Sequence, residues 1–202
     1  MQQWLKSITL VISLMLLPTF AFGGDDTRLK NRISDKVDEL DYLRDELAMK
    51  SKLSLASESG KYLEACEVIQ RDSVKMAKAT GWKIRQPSKK PRNPINSKLS
   101  DAEKAAFEKF KASPRLGAYW IRDDSGFWYF RQIKTETKCL ACHGPAGKRP
   151  QRVKSGYPND RGFGFKDGEF YGVFSVFVAD KKAKKKPKVV EEDVSEDDSE
   201  EE

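Results

Sequence analysis

The sequence predicts an α+β domain in which long amphipathic helices come first and an antiparallel sheet follows, interrupted by a glycine- and proline-rich loop. Three observations carry that prediction. From Thr27 to about Ala48, the apolar residues Leu29, Ile33, Val37, Leu40, Leu43 and Leu47 recur every three or four positions, the spacing of one helical face. The strand-like runs Ala118 to Arg122 and Phe127 to Ile133 are joined by Asp123-Asp124-Ser125-Gly126, a strong hairpin signal. A third run, Phe170 to Ala179, alternates imperfectly but is rich in Val, Phe and Tyr.

Taken in order, Met1 to Lys6 carry positive charge and lead into an apolar run from Ile8 to Phe22 that ends in small residues. This is the pattern of a secretory signal peptide over residues 1–23, and the run is short for a membrane span. The expectation is a periplasmic or secreted protein with no stable membrane span once the signal is cleaved. Residues 24–35 read as an N-terminal helical extension, and residues 36–180 as the domain. A second helical pattern runs from Lys61 to Ala79 with Leu63, Cys66, Val68, Ile69 and Met76 at its apolar positions, and Gly81 suits the residue that follows a helix. Trp82 to Asn96 contains Pro87, Pro91 and Pro94 and has no helical period, so it is expected to be extended or looped. Ser100, with Asp101 and Glu103, opens a short helix bearing Ala105, Ala106, Phe107 and Phe110. Between the second and third strands, Thr135 to Glu169 is long for a connection in a compact domain, and loops of that length usually bind something. Beyond Asp180 come Lys181 to Lys188, almost all lysine, and an acidic run from Glu191 to Glu202. Nothing there could offset the entropy of ordering, so residues 181–202 are expected to be disordered.

The 202 residues carry a net charge of +7, but the charges are spread widely and the chain is expected to be exported. Nucleic acid is therefore not an expected partner. The chain has 3 cysteines and a single histidine. An odd cysteine count leaves at least one outside any internal disulfide. Cys139-Leu140-Ala141-Cys142-His143 has the form C-x-x-C-H, in which two thiols add to the vinyl groups of a haem and the adjacent imidazole binds the iron. Three alternatives compete with haem. A thioredoxin-like redox pair is expected near a βαβ pattern, which is missing before Cys139. A Cys₃His zinc set could use all three cysteines, yet Cys142 and His143 are adjacent, whereas structural zinc ligands are normally separated. A plain disulfide is the third. Haem is favoured, because export, inferred from different residues, agrees with it.

With only one histidine, a bis-histidine haem is excluded within one polypeptide. Met76 and Cys66 are candidates for the other side of the iron. Met76 on an apolar stripe is more often core packing, and Cys66 is either an inert buried thiol or a ligand, with position alone deciding neither. Arg85 and Arg92 flank the proline-rich segment, and a guanidinium suits a haem propionate, though either could equally face solvent. Trp82, Trp120, Phe127, Trp128, Tyr129, Tyr157, Phe163 and Phe165 could wall an apolar pocket, although most are expected to be ordinary core.

The chain resembles the single-haem c-type domains of PAS-like fold that occur alone or as sensor modules in bacterial and cyanobacterial signalling proteins. The resemblance covers about residues 36–180. It is carried by Glu64-Ala65-Cys66, Gly81-Trp82-Lys83-Ile84-Arg85, Lys90-Pro91-Arg92-Asn93-Pro94 with Asn96, Cys139 to Gly144, Tyr157-Pro158 with Asp160, and Gly168. It implies a PAS-like antiparallel sheet with a haem-binding loop, one covalent haem c, and Cys66 as the distal ligand opposite His143. A thiolate donates electron density, so such a haem would have a low potential and a weak sulfur bond when ferrous. The expected function is a redox or small-ligand sensor with a redox or signalling partner. A soluble periplasmic electron carrier is the alternative. An enzyme is the weakest of the three, because no second histidine is available as acid or base.

Overall fold

The structure is a computed structural model that describes residues 23–54 and 63–180, with side chains described over 25–50 and 68–180. The expected signal segment and charged tail lie outside the described residues. Among the described residues, no helix is long and apolar enough to cross a membrane.

Helix α1 (Gly23–Ser54) is 32 residues long, about 48 Å at the ordinary helical rise. Its apolar stripe is buried as the spacing predicts, with Ile33, Val37 and Leu40 between 0% and 2% exposed. The helix runs unbroken through residue 36, and Ile33 belongs to the same core as Leu40. The extension and the domain therefore form one packed element. Helix α2 (Leu63–Thr80) ends where Gly81 takes φ = 73° and donates its N–H to the Ala77 carbonyl at 2.9 Å. That left-handed conformation strains any residue with a Cβ. Trp82 then turns into the core at once.

Strand β1 (Lys83–Arg85) forms where the sequence pattern predicts only extended or looped chain, and it pairs antiparallel with the final strand. A 3₁₀ turn, Pro94–Ser97, is capped by Asn93, and α3 (Asp101–Ala112) begins with a capping box between Ser100 and Glu103. Strands β2 (Ala118–Asp123) and β3 (Gly126–Lys134) make the expected hairpin. The loop that follows contains two short helices, α4 (Leu140–His143) and α5 (Gln151–Gly156), before β4 (Phe170–Ala179). The sheet is antiparallel throughout, with order β1-β4-β3-β2.

Both faces of the central strands are covered, which explains why β4 alternates so imperfectly in sequence. On one face Phe127, Tyr129, Ile133, Phe174 and Val176 pack with the α1 stripe and Trp82; Met76 packs against this cluster. On the other face Phe130 and Val173 pack with Ala106, Phe107 and Phe110 of α3. The α+β class holds, with helices on both sides of the sheet.

The hairpin turn is organised by Asp123. Its Oδ1 accepts from Ser125 N–H at 2.8 Å and Gly126 N–H at 3.1 Å, and its Oδ2 accepts from Trp128 Nε1–H at 3.1 Å. The Ser125 hydroxyl and these other donors hold the carboxyl below its usual range. The folded-state value is depressed, so this contribution is present above the ordinary carboxylate range and is lost as pH falls through the lowered value. Asp123→Ala should cost roughly 1 kcal/mol and remove that acid-side dependence, as measured by urea denaturation of both proteins across the acid range.

Candidate functional site

A cavity of about 480 Å³ opens beside the long loop. Its walls come from Arg44 and Ala48 of α1, from Ile69, Gln70 and Arg71 of α2, and from Gln86, Arg92, Asn93 and Asn96 of the proline-rich segment. Lys138, Cys139, Ala141, Cys142 and His143 form the wall on the loop side, with Tyr157 and Tyr171. Its size is that of a small-molecule or cofactor site.

The C-x-x-C-H sequence folds as a 3₁₀ turn, Thr137–Cys139, running into the single turn of α4. Two cysteines three apart on such a turn fall on one side of it. Cys139 and Cys142 are both half-buried and both line the cavity. Burial raises the Cys139 thiol above its ordinary value. Gly144 ends the turn by donating its N–H to the Leu140 carbonyl at 2.8 Å, so close an approach that a Cβ at 144 would lie 2.4 Å from that oxygen. The segment 162–165 then runs alongside: Gly164 N–H donates to Gly144 O at 2.8 Å and Phe165 N–H to His143 O at 3.0 Å.

The His143 ring is held from three sides. Its Nδ1 lies 2.6 Å from Gly162 O, and the edges of Phe165 and Tyr171 flank it at 6.4 and 5.2 Å between centroids. A carbonyl can only accept, so Nδ1 carries a proton. Burial, reinforced by the Arg92 charge, pushes the imidazole pKa down to about 4, so the ring is neutral at ordinary pH and Nε2 holds the bare lone pair. That tautomer is the one a metal-binding histidine needs, and a backbone carbonyl on the other nitrogen is a usual way to fix it.

The two arginines have different fates. Arg92 is buried at the cavity wall, where its Nη2 donates to Cys142 O at 2.8 Å and its Nε to Asp160 at 3.2 Å, with the guanidinium over the Tyr157 ring. Arg85 is not among the cavity residues. It donates to both oxygens of Glu103, at 3.0 and 3.2 Å, and to Lys98 O at 2.7 Å. The Cys66 side chain lies outside the described residues. Position 66 nonetheless shares a helical face with Ile69 and Gln70, three and four residues on, which line the cavity. Of the aromatic candidates, Tyr157 reaches the cavity wall and Phe165 packs on His143, whereas Trp82, Phe127 and Tyr129 are core.

Sequence reasoning named Arg92 at the cavity but missed the other cations that line it. Four cations, Arg44, Arg71, Arg92 and Lys138, line it, and no Asp or Glu does among the described residues. Arg44 pairs with Asp41 at 3.0 Å and Lys138 with Asp45 at 3.0 Å. Arg71, exposed on α2, makes no ion pair among the described residues. Nothing local in the sequence marks Arg44, Arg71 or Lys138 as cavity residues. The cavity suits a ligand that carries anionic groups.

The fold and the site together define an α+β protein in which a Cys-x-x-Cys-His turn opens into a cationic ligand cavity. The chain belongs to the Tll0287-like family, whose model matches residues 27–179. A similar solved structure is that of the cyanobacterial heme-protein Tll0287, with 30% sequence identity and a TM-score of 0.67, covering 74% of this chain and 93% of that chain. No curated protein matches the chain.

Proposed function

We propose that this is an exported protein carrying one haem c in the cavity, with Cys139 and Cys142 as covalent anchors and His143 as the proximal ligand of the iron. The similarity to a cyanobacterial heme-protein supports haem as the group. The observation that carries its assignment to these residues is the imidazole, whose bare lone pair belongs to a residue lining the same cavity as both cysteines. Each S–H would add across a vinyl double bond, forming one C–S and one C–H bond and releasing nothing. Attachment therefore needs reduced thiols and no oxidant. Arg71 and Arg92, both on the cavity wall, would be the groups to pair with a propionate, and Arg92 also holds the Cys142 carbonyl and so the shape of the turn. When bound, the group would supply one-electron chemistry at iron.

Cys66 is the proposed distal ligand, because its position on α2 lies one turn from the cavity wall. As a thiolate it would favour the ferric state, and an electron delivered by a redox partner, with a proton from water onto Cys66 Sγ, would weaken its hold on the group. The loss of that bond would free α2 to shift, coupling iron state to shape, which is the basis of a redox or small-ligand sensor. A redox or signalling partner would read the shift. The alternative, a periplasmic electron carrier, is favoured by the rigid hold on His143.

The test is to express the chain with haem-maturation machinery and compare ferric and ferrous forms of the wild type and Cys66→Ala by absorption and electron paramagnetic resonance, with and without carbon monoxide. A low-spin thiolate signature lost in Cys66→Ala, with carbon monoxide binding the ferrous wild type, supports the sensor. Unchanged six-coordinate spectra in the variant remove Cys66 and leave the carrier. Absence of covalent haem where a control cytochrome matures overturns the proposal. The mass of the protein recovered from the periplasm should correspond to loss of residues 1–23.

A further inference from the structure

Behind His143 lies a group of buried charges that the C-x-x-C-H motif does not account for. The Asp160 side chain is 1% exposed, and its Oδ2 accepts from Arg92 Nε at 3.2 Å and from Arg149 Nη1 at 2.8 Å. Its Oδ1 accepts from Gly162 N–H at 2.7 Å. Gly162 in turn presents its carbonyl to His143 Nδ1 at 2.6 Å. The fit is close: a Cβ at 162 would lie 3.1 Å from Asp160 Oδ1 and 3.2 Å from Arg92 N. The Arg149 guanidinium also lies 3.9 Å over the ring of Phe163, so the residue after Gly162 is held too.

Buried ion pairs are weak contributors to stability, because desolvation offsets the attraction. This one, however, ends on the backbone of Gly162, which bonds the imidazole. We propose that Asp160 is a positioning residue for His143: neutralised by Arg92 and Arg149, it holds the Gly162 carbonyl on Nδ1 and thereby fixes the tautomer, the ring plane and the donor strength of the proximal ligand. For its effect on iron the inference rests on the haem assignment above; for its effect on the imidazole it does not. Two guanidiniums and one carboxylate leave a net positive charge beside the ring. Loss of the carboxylate raises that charge and loosens the carbonyl, so His143 donates less and the ferrous state gains. Loss of Arg149 lowers the charge and favours the ferric state.

The experiment measures midpoint potentials and paramagnetic resonance spectra of the haem-loaded full chain as wild type, Asp160→Asn, Arg149→Gln and Gly162→Ala. It adds the ¹⁵N spectrum of the chain's only histidine before haem loading. The expected result is retained covalent haem with a raised potential in Asp160→Asn and a lowered one in Arg149→Gln. In the haem-free chain, a single Nδ1–H tautomer in the wild type should give way to a mixture in Asp160→Asn and Gly162→Ala. A merely structural role would not shift the potential in opposite directions. Potentials that stay put or move together, with the wild-type tautomer kept in every variant, overturn the proposal. If the wild type takes up no haem, the haem assignment fails and the histidine ¹⁵N signal still decides this one. If Asp160→Asn does not fold, Gly162→Ala and Arg149→Gln decide it by the same readings.

Discussion

Replacing Cys139 and Cys142 together by alanine is expected to convert bound haem from covalent to fully extractable, an all-or-none change rather than a graded one. Both cysteines line one cavity wall from a single turn, so under the proposed attachment each would supply one thioether, and no other cysteine among the described side chains could substitute. The cavity and His143 remain, so the double variant should still take up added haem, but acidified organic solvent should remove all of it and the denatured chain should carry no haem stain. Each single variant should keep one thioether, seen as a red-shifted band in the alkaline pyridine spectrum. If the double variant instead loses a stoichiometric zinc ion, the Cys₃His set is the correct one.

The second large effect is on stability. Glu103→Ala should destabilise the protein by about 3 kcal/mol, or roughly 6–12 °C in Tm for a chain of this size. The Glu103 side chain is 1% exposed, its carboxylate takes both contacts from Arg85, and its Oε2 accepts the Ser100 N–H at 2.8 Å in the capping box of α3. Alanine strands a guanidinium and removes half of the capping box, leaving the Ser100 N–H without its acceptor at the start of a helix whose Phe107 and Phe110 fill one face of the sheet. The Arg85 side chain is 36% exposed, which holds the cost below that of a fully buried pair. Glu103→Gln keeps the cap acceptor and should cost about half as much. Neither Arg85 nor Glu103 lines the cavity, so thermal unfolding should move while the haem spectrum of the folded protein does not.

Those two arginines show where sequence reasoning stops. Arg85 and Arg92 flank the same prolines and are the same residue type, and nothing local separates them. Their fates differ because the Ser100 cap brings Glu103 to one and the 157–162 turn brings Asp160 to the other. The α1 stripe was legible because burial at Ile33, Val37 and Leu40 repeats with the helical period. The hairpin was legible because its turn chemistry is local. Strand β1 was not: three residues are too few to establish an alternation, and they become a strand by pairing with Phe177, Val176 and Ser175 some ninety residues later. At the site, the C-x-x-C-H turn could be read from five adjacent residues. The cations around it could not, since Arg44, Arg71 and Lys138 look like any solvated charge until the fold gathers them.

The two walls of the cavity have a consequence for how the molecule assembles. Ile69 on one side and Cys142 on the other are some seventy residues apart in the chain. Bringing such distant segments together costs about 4 kcal/mol in loop-closure entropy, before any contact across the gap repays it. The sheet carries a cost of the same size, because β1 pairs with β4 some ninety residues later, and once that pairing is made the chain between the two walls is already closed. The two walls therefore meet on a frame that the pairing of β1 with β4 has already closed. A molecule that bridges both walls acts as a staple, and its attachment to the loop would turn a contact between distant segments into a nearly local one.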